Sequence, residues 1–281
     1  MGSASGEAME TLCNLHKTGL PFFRHFLEHA IGVLKKDDRV IGATIAGSLA
    51  ENRADAFSDI DLVIAVEPDA FTSVMDERRR IAASLGKLIA AFTGEHVNEP
   101  RLLICLYDDP LLHVDLKFVP LPDAVPVVDT SLVLWDRDGR LTGVAAGKSG
   151  RHSPPDMQWI EDRFWVWVHY IAGKIGRGEF FEAIESLSFL RVVVLAPIGF
   201  AALGTPFPGI RHVESKAPEL AEELKGTLAL HDAQSLWRAL DNAIALYRRL
   251  REEYDGDFKR NTEAEKAVLH YVRQCMATES C

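Results

Sequence analysis

Three aspartates are the residues of this sequence whose type and spacing could support chemistry. Asp59 and Asp61 flank Ile60 at the start of an apolar run, and Asp115 lies within a later run, HVDLKF. Because side chains alternate along a strand, Asp59 and Asp61 would share one face while Ile60 points to the other. Two carboxylates so close together repel each other strongly unless a cation lies between them. The pattern predicts a Mg²⁺ site, since Mg²⁺ takes oxygen ligands and accepts substrate phosphates.

Asp115 would complete this site if its strand lies beside that of Asp59 and Asp61. From 113 to 118 every second residue is apolar, so His113, Asp115 and Lys117 would project to the opposite face. A site with three carboxylates can hold two metal ions about 3.5–4 Å apart. One ion would activate an attacking hydroxyl and the other would stabilise a leaving pyrophosphate. We therefore predict Asp59, Asp61 and Asp115 as both metal ligands and catalytic residues.

Gly47 and Ser48 follow the apolar run Val40–Ala46 and precede the first aspartate pair. A glycine lets the backbone approach a phosphate closely, and the serine offers an N–H and a hydroxyl. These two residues are the predicted phosphate-binding residues of the first half.

The elements that would position these residues alternate between helix and strand. Helical spacing of apolar residues predicts helices over 20–36 and 70–92, the second ending at Gly94. Strands are predicted at Val40–Ala46 and at Ile60–Val66, which Pro68 stops. Two further apolar runs joined by Asp-Asp-Pro predict a hairpin over 101–119, and a short strand is predicted over 131–135.

After about residue 150 strand signals almost disappear. Helical segments are predicted around 156–176, 179–203, 216–228, 231–253 and 261–276. The expected fold is therefore an α/β (α+β) domain with a small mixed sheet over residues 1–150, followed by an all-helical domain over residues 151–281.

Composition excludes several protein classes. The net charge of −10 differs from the basic balance usual for proteins that grip a nucleic-acid backbone. No apolar run approaches 18 residues and the start lacks a secretory pattern, so we expect a cytoplasmic protein without a membrane span. The four cysteines form no C-x-x-C pair, which argues against structural zinc and a disulfide framework. Cys105, in an apolar run, is expected to be buried.

The motifs occur in an order that resembles a known family. Gly-Ser, a spacer of about ten residues, Asp-x-Asp and a later apolar-Asp-apolar strand are similar to the polymerase-beta-like nucleotidyltransferases. The two-domain layout resembles the adenylyltransferases that act on aminoglycosides or lincosamides. This resemblance implies that Gly47 and Ser48 contact a triphosphate and that Asp59, Asp61 and Asp115 bind Mg²⁺.

The resemblance is looser in the second half. Trp165–Arg191 resembles the first helical hairpin of the C-terminal domain in those enzymes, where a lysine commonly reaches the nucleotide phosphates. Lys174 is the corresponding nucleotide-binding candidate, with a solvated helix residue as the equal alternative. The resemblance also makes Glu95 and Glu99 candidates for deprotonating an acceptor hydroxyl, although surface carboxylates are the simpler interpretation.

Two residues near Asp115 keep alternative interpretations. His113 could act as a base, but a solvated histidine near a strand end is favoured. Lys117 could neutralise the carboxylate cluster or contact a phosphate, and the sequence favours neither.

These observations predict an enzyme of the phosphotransferase class. It would transfer a nucleoside monophosphate, expected to be AMP, from Mg–NTP, expected to be ATP, to a hydroxyl of a small-molecule acceptor. An aminoglycoside or a lincosamide is the expected kind of acceptor, which would make antibiotic resistance the role, and pyrophosphate would be released. Two alternatives stay open: a nucleotidyltransferase that modifies a protein or tRNA, as toxin–antitoxin relatives do, and a non-catalytic nucleotide-binding module.

Overall fold

The computed structural model describes residues 20–124, 131–145, 155–205, 207, 209–254 and 256–279. The chain divides into two compact units, Met1–Arg151 and His152–Cys281. Cys13, Cys281 and the predicted domain boundary near residue 150 lie outside the described residues.

The first unit is built on a six-stranded sheet. In chain order its elements are α1 (Pro21–Leu34), β1 (Val40–Ala46), α2 (Gly47–Ala50), β2 (Ile60–Val66), α3 (Phe71–Ser84), β3 (Lys87–Gly94), β4 (Glu99–Asp108), β5 (Leu112–Pro120), β6 (Leu132–Asp136) and α4 (Arg140–Ala145). The strand order is β3-β4-β5-β2-β1-β6. Strands β2 and β5 are parallel and the other neighbours are antiparallel, so the sheet is mixed.

The two faces of this sheet carry different cores. On one face, α1 and α3 pack their apolar residues against Ile60, Leu62, Ile64, Val114, Leu116 and Phe118 of the central strands. On the other face a smaller cluster contains Ile41, Ala65, Val119, Leu121 and Leu141. Because side chains alternate along a strand, Asp61 and Asp115 belong to this second face. The larger core therefore stabilises the central strands from one face, and the polar side chains of these strands lie on the other face.

Strand β3 corrects one prediction from the sequence. The helix expected over 70–92 ends at Ser84, and Lys87–Gly94 forms an edge strand paired with β4. The chain turns at Gly86, where an added Cβ would lie 3.1 Å from the Tyr107 ring. Pairing with β4 outweighs the helical spacing of the apolar residues, because local propensity is a weak preference beside a tertiary partner.

In the described residues of the second unit, all regular secondary-structure elements are helices. Its elements are α5 (Met157–Gly176), α6 (Phe180–Leu190), a π-helical turn (Arg191–Leu195), α7 (Ala196–Ala202), α8 (Val213–Lys216), α9 (Pro218–Lys225), α10 (Ala233–Glu253) and α11 (Thr262–Glu279). Asp156 caps α5 by accepting the Trp159 N–H at 2.9 Å, and Asp232 caps α10 by accepting that of Ser235 at 2.8 Å. The predicted fold class, a mixed-sheet α/β domain followed by helices, is confirmed.

One helical segment of the second unit, Phe180–Ala202, is long and apolar enough to cross a membrane by length and composition alone. Half of its most apolar stretch is buried within the protein. Leu187, Leu190 and Phe200 are among the buried residues of the helical core, so we assign this segment to the core.

A network of charged groups is buried in the same unit. The Arg251 guanidinium donates to Glu161 at 3.1 Å and to Glu265 at 2.8 Å. Glu161 also accepts from the Tyr247 hydroxyl at 2.5 Å and from the backbone N–H of Asn261 at 2.9 Å. The side chain of Arg251 is 4% exposed and that of Glu161 is fully buried. Buried charges persist when they are paired and hydrogen-bonded, and this pair meets both conditions.

Candidate functional site

Gly47 stands at the junction of β1 and α2, directly beside a predicted metal ligand. Its φ is +68°, a conformation that favours glycine, and an added Cβ would lie 2.5 Å from Oδ2 of Asp61. The register explains this contact, since Ala46 of β1 lies opposite Asp61 of β2. Ser48 follows in the helical turn Gly47–Ala50. The predicted phosphate-binding residues therefore adjoin one of the predicted metal ligands.

Asp61 and Asp115 occupy paired positions on neighbouring strands. Strands β2 and β5 run parallel, and their register places Asp61 opposite Asp115. Directly paired residues on one face of a sheet have neighbouring side chains. The structure thus brings together two carboxylates that lie far apart in the sequence.

Asp59 immediately precedes β2 and acts electrostatically on Asp115. Burial raises the pKa of the Asp115 carboxyl, the nearby His113 opposes this shift, and the negative charge of Asp59 adds to it. Both carboxylates are half-buried. Asp59 is therefore close enough to act on Asp115, and Asp115 is paired in register with Asp61.

His113 lies on the same face of β5 and contacts Asp115. Its Nε2 is 3.1 Å from Oδ1 of Asp115, and its side chain is 51% exposed. The solvated location matches the interpretation favoured from the sequence, and the pairing with Asp115 is an addition that only the fold reveals.

This donor set fits Mg²⁺. Mg²⁺ is commonly held by one or two carboxylates together with waters and substrate phosphates, which the paired Asp61 and Asp115 can supply. Over the ranges that the structure describes, no group of three or more His, Cys, Asp and Glu side chains is arranged to hold a metal ion. The three-ligand, two-ion arrangement therefore remains a prediction, whereas the two-carboxylate arrangement needs only the observed register.

Lys174, the remaining predicted nucleotide-binding residue, lies in the last turn of α5 in the second unit. Its ammonium group is 2.5 Å from Oε2 of Glu179 and 5.0 Å from the centre of the Tyr170 ring. The hydrogen bond to Glu179 raises the pKa of Lys174, so the side chain is cationic at neutral pH. A role at the nucleotide phosphates remains a prediction.

A group of ion pairs in the first unit, formed by Glu99, Arg101 and Lys117, was not predicted from the sequence. Glu99 binds Lys117 at 2.7 Å, and both nitrogen donors of the Arg101 fork at 2.8 and 2.9 Å. Arg101 lowers the pKa of Glu99 to about 2, and Lys117 contributes to the same shift. Such a strongly stabilised carboxylate is a poor general base, which argues against that role for Glu99. Glu95 is exposed and accepts a hydrogen bond from Thr93 at 2.6 Å.

Cys105 is buried, as predicted, and burial raises the pKa of its thiol to about 12. It therefore packs as a small apolar side chain.

A cavity of about 900 Å³ lies within the second unit, between α7, α9 and α10. Apolar side chains and charged side chains of both signs line it, among them Leu203, Leu220, Leu250, Glu219, Glu253, Lys216 and Arg249. Its volume lies within the range of about 300–1,000 Å³ that small-molecule pockets usually occupy.

Replacing Gly47 by Ala is expected to disrupt the site more than the fold. The added Cβ would displace the Asp61 carboxylate, and the positive φ would cost about 1–2 kcal/mol. We expect a loss of divalent-cation affinity of tenfold or more, measured by calorimetry with Mg²⁺ and nucleotide.

Gly139→Ala is the matched control for this substitution. Gly139 has φ +73°, yet an added Cβ would meet nothing within 4 Å. It should lose a similar amount of unfolding free energy and keep its affinity for Mg²⁺. Equal Mg²⁺ affinities in the two variants would contradict the proposed contact between Gly47 and the metal ligand.

This chain is similar to known proteins in structure but matches none of those compared by sequence. No protein-family model matches the sequence, and no curated protein matches it. An aminoglycoside 6-adenyltransferase from Bacillus subtilis is similar over 89% of this chain and 97% of its own, with 17% identity and a TM-score of 0.39. A nucleotidyltransferase-like protein from Exiguobacterium sibiricum 255-15 is similar over 86% of this chain and 84% of its own, with 10% identity and a TM-score of 0.34. At these identities and TM-scores, neither likeness decides the activity or the acceptor of this chain.

Proposed function

We propose that this protein transfers a nucleoside monophosphate, AMP from ATP, to a hydroxyl of a small-molecule acceptor and releases pyrophosphate. The observation that carries this proposal is the register of β2 and β5, which pairs Asp61 with Asp115 beside the backbone of Gly47. Paired carboxylates next to a glycine at a helical turn combine the ligands of a divalent cation with a place for phosphates.

The residues have separate tasks in this reaction. Gly47 and Ser48 bind the triphosphate through backbone N–H groups and a hydroxyl. Asp61 and Asp115 would hold Mg²⁺, with Asp59 as a proposed third ligand once metal and nucleotide are bound. Bound Mg²⁺ offsets the negative charge of the phosphates. The acceptor oxygen forms a bond to the α-phosphorus as the bond from that phosphorus to the pyrophosphate oxygen breaks, and the hydroxyl proton is released. Catalysis then depends mainly on positioning and charge stabilisation.

A small-molecule acceptor is supported by charge and by the second unit. The net charge of −10 disfavours a tRNA acceptor. The cavity of about 900 Å³ in the helical unit has the size and mixed lining of a ligand pocket. We therefore propose a catalytic domain over residues 1–150 and an acceptor-binding domain over residues 151–281, in a cytoplasmic enzyme supplied with ATP. Antibiotic resistance is the proposed role if an aminoglycoside or a lincosamide is the acceptor.

Pyrophosphate release tests the proposal. The full chain is incubated with Mg²⁺, each NTP in turn, and a panel of aminoglycosides, lincosamides and simple polyols. We expect release that depends on one class of acceptor and disappears with EDTA. Labelling of a protein or tRNA instead, or nucleotide binding without any release, would overturn the small-molecule transferase in favour of the corresponding alternative.

A further inference from the structure

Lys117 is two residues from Asp115 on the same face of β5, and its flexible side chain is long enough to reach that carboxylate. Residues i and i+2 of a strand are about 6.5–7 Å apart. A lysine ammonium is a compact charge on a four-carbon chain, so it can pair with a carboxylate at that distance. Such a pair would neutralise Asp115 and compete with a divalent cation.

The structure directs Lys117 away from Asp115. Its Nζ lies 2.7 Å from Oε2 of Glu99, and the two side chains are only 25% and 22% exposed. The Arg101 guanidinium holds Glu99 from the other side through two hydrogen bonds and also approaches Asp123 at 3.2 Å. Glu99 is therefore fixed between two cations.

The charges of this group cancel. Glu99 and Asp123 are negative and Lys117 and Arg101 are positive; three ion pairs join them, Lys117–Glu99, Arg101–Glu99 and Arg101–Asp123. Arg101 holds the pKa of Glu99 at about 2, so Glu99 stays ionised throughout the physiological range. Lys117 is consequently paired with Glu99 and not with Asp115, whose Oδ1 lies 3.1 Å from Nε2 of His113.

We propose that Glu99 is a positioning residue that keeps Lys117 off Asp115 and so preserves the divalent-cation site. This inference rests on the proposed function, since it concerns the same carboxylates. Glu99 acts through Lys117, with which it forms an ion pair. The sequence offers no local signal for it, because Glu99 and Lys117 meet through the pairing of β4 with β5.

Divalent-cation binding to the full-length protein tests this inference. Mn²⁺ binding, followed by electron paramagnetic resonance with and without ATP, is compared among the wild type, Glu99→Gln, Lys117→Met and the double variant. We expect Glu99→Gln to weaken Mn²⁺ binding by tenfold or more, because Lys117 is released toward Asp115. Lys117→Met should bind at least as tightly as wild type, and the double variant should recover wild-type affinity.

The rescue separates positioning from structural damage. The double variant also lacks the Glu99–Lys117 ion pair, so a purely structural role of Glu99 predicts no recovery. Glu95→Gln, which removes an exposed carboxylate from the segment before β4, controls for the loss of one negative charge. Unchanged Mn²⁺ affinity in Glu99→Gln, or a double variant as weak as Glu99→Gln, would overturn this inference alone. A wild type that binds no Mn²⁺ in the presence of ATP would overturn it together with the proposed function.

Discussion

Asp61→Asn is expected to reduce turnover on the order of a thousandfold or more, because several kcal/mol of charge stabilisation at the phosphates would be lost. Asn keeps the size of the side chain but removes the negative charge that faces Asp115 across β2 and β5. Pyrophosphate release with the acceptor identified by the panel measures this effect, and Asp59→Asn should behave similarly. Turnover near the wild-type value in either variant would contradict the proposed mechanism.

The same variant should fold normally. Asn keeps the size and shape of the side chain, so the unfolding free energy without metal should stay close to that of wild type. Mg²⁺ with ATP should raise the unfolding temperature of wild type by mass action and leave that of Asp61→Asn almost unchanged. Asp69→Asn is the control, because Asp69 is an exposed carboxylate of the same unit. It should retain both turnover and the response to Mg²⁺.

Arg251→Met is expected to cost about 3–5 kcal/mol of unfolding free energy, the largest effect that we predict on stability. The substitution removes the cation between Glu161 and Glu265 and leaves two negative charges without it in the core of the helical unit. Urea denaturation followed by tryptophan fluorescence measures this loss of stability. Trp135 is the single tryptophan of the first unit, so the remaining tryptophans report the unfolding of the second unit.

Two controls test whether the buried pairing is the cause. Arg260→Met breaks the ion pair between Arg260 and Glu252, whose side chains are 39% and 60% exposed, respectively. This substitution should lower the unfolding free energy by less than about 1 kcal/mol. The double variant Glu161→Gln/Arg251→Met should lose less than the sum of its single variants, because each partner is costly chiefly when left alone. Additive losses, or equal losses for Arg251→Met and Arg260→Met, would contradict this account.

Much of the first unit could be predicted from the sequence, because its central strands are strongly apolar and end at clear signals. Strands β1 and β2 have the predicted bounds, Val40–Ala46 and Ile60–Val66, and the hairpin and the short strand β6 lie where expected. The pattern of alternation correctly placed Asp115 and Lys117 on the face opposite the larger core. These features depend on local sequence alone.

Contacts between residues far apart in the sequence could not be predicted from local sequence patterns. The predicted role of Asp115 depended on its strand lying beside that of Asp61, which the sequence could not show. The structure shows this pairing. Strand β3 was predicted as helix because its apolar residues fit helical spacing, and its partner β4 lies beyond the turn at Glu95–Val97. The pairing of Lys117 with Glu99, and the buried Arg251 network, join residues whose types suggest ordinary surface positions.

The parallel contact between β2 and β5 also has a consequence for the order of folding. Between these strands the chain must pass through helix α3 and the antiparallel pair β3–β4, so the contact closes a long loop. Closing long loops is slow compared with forming local hairpins and helices. We therefore expect the two carboxylates to meet only after the local elements have formed, so that a partly folded chain has neither their repulsion nor their affinity for a cation. Protection by Mg²⁺ against unfolding would for this reason report that the contact between β2 and β5 is closed.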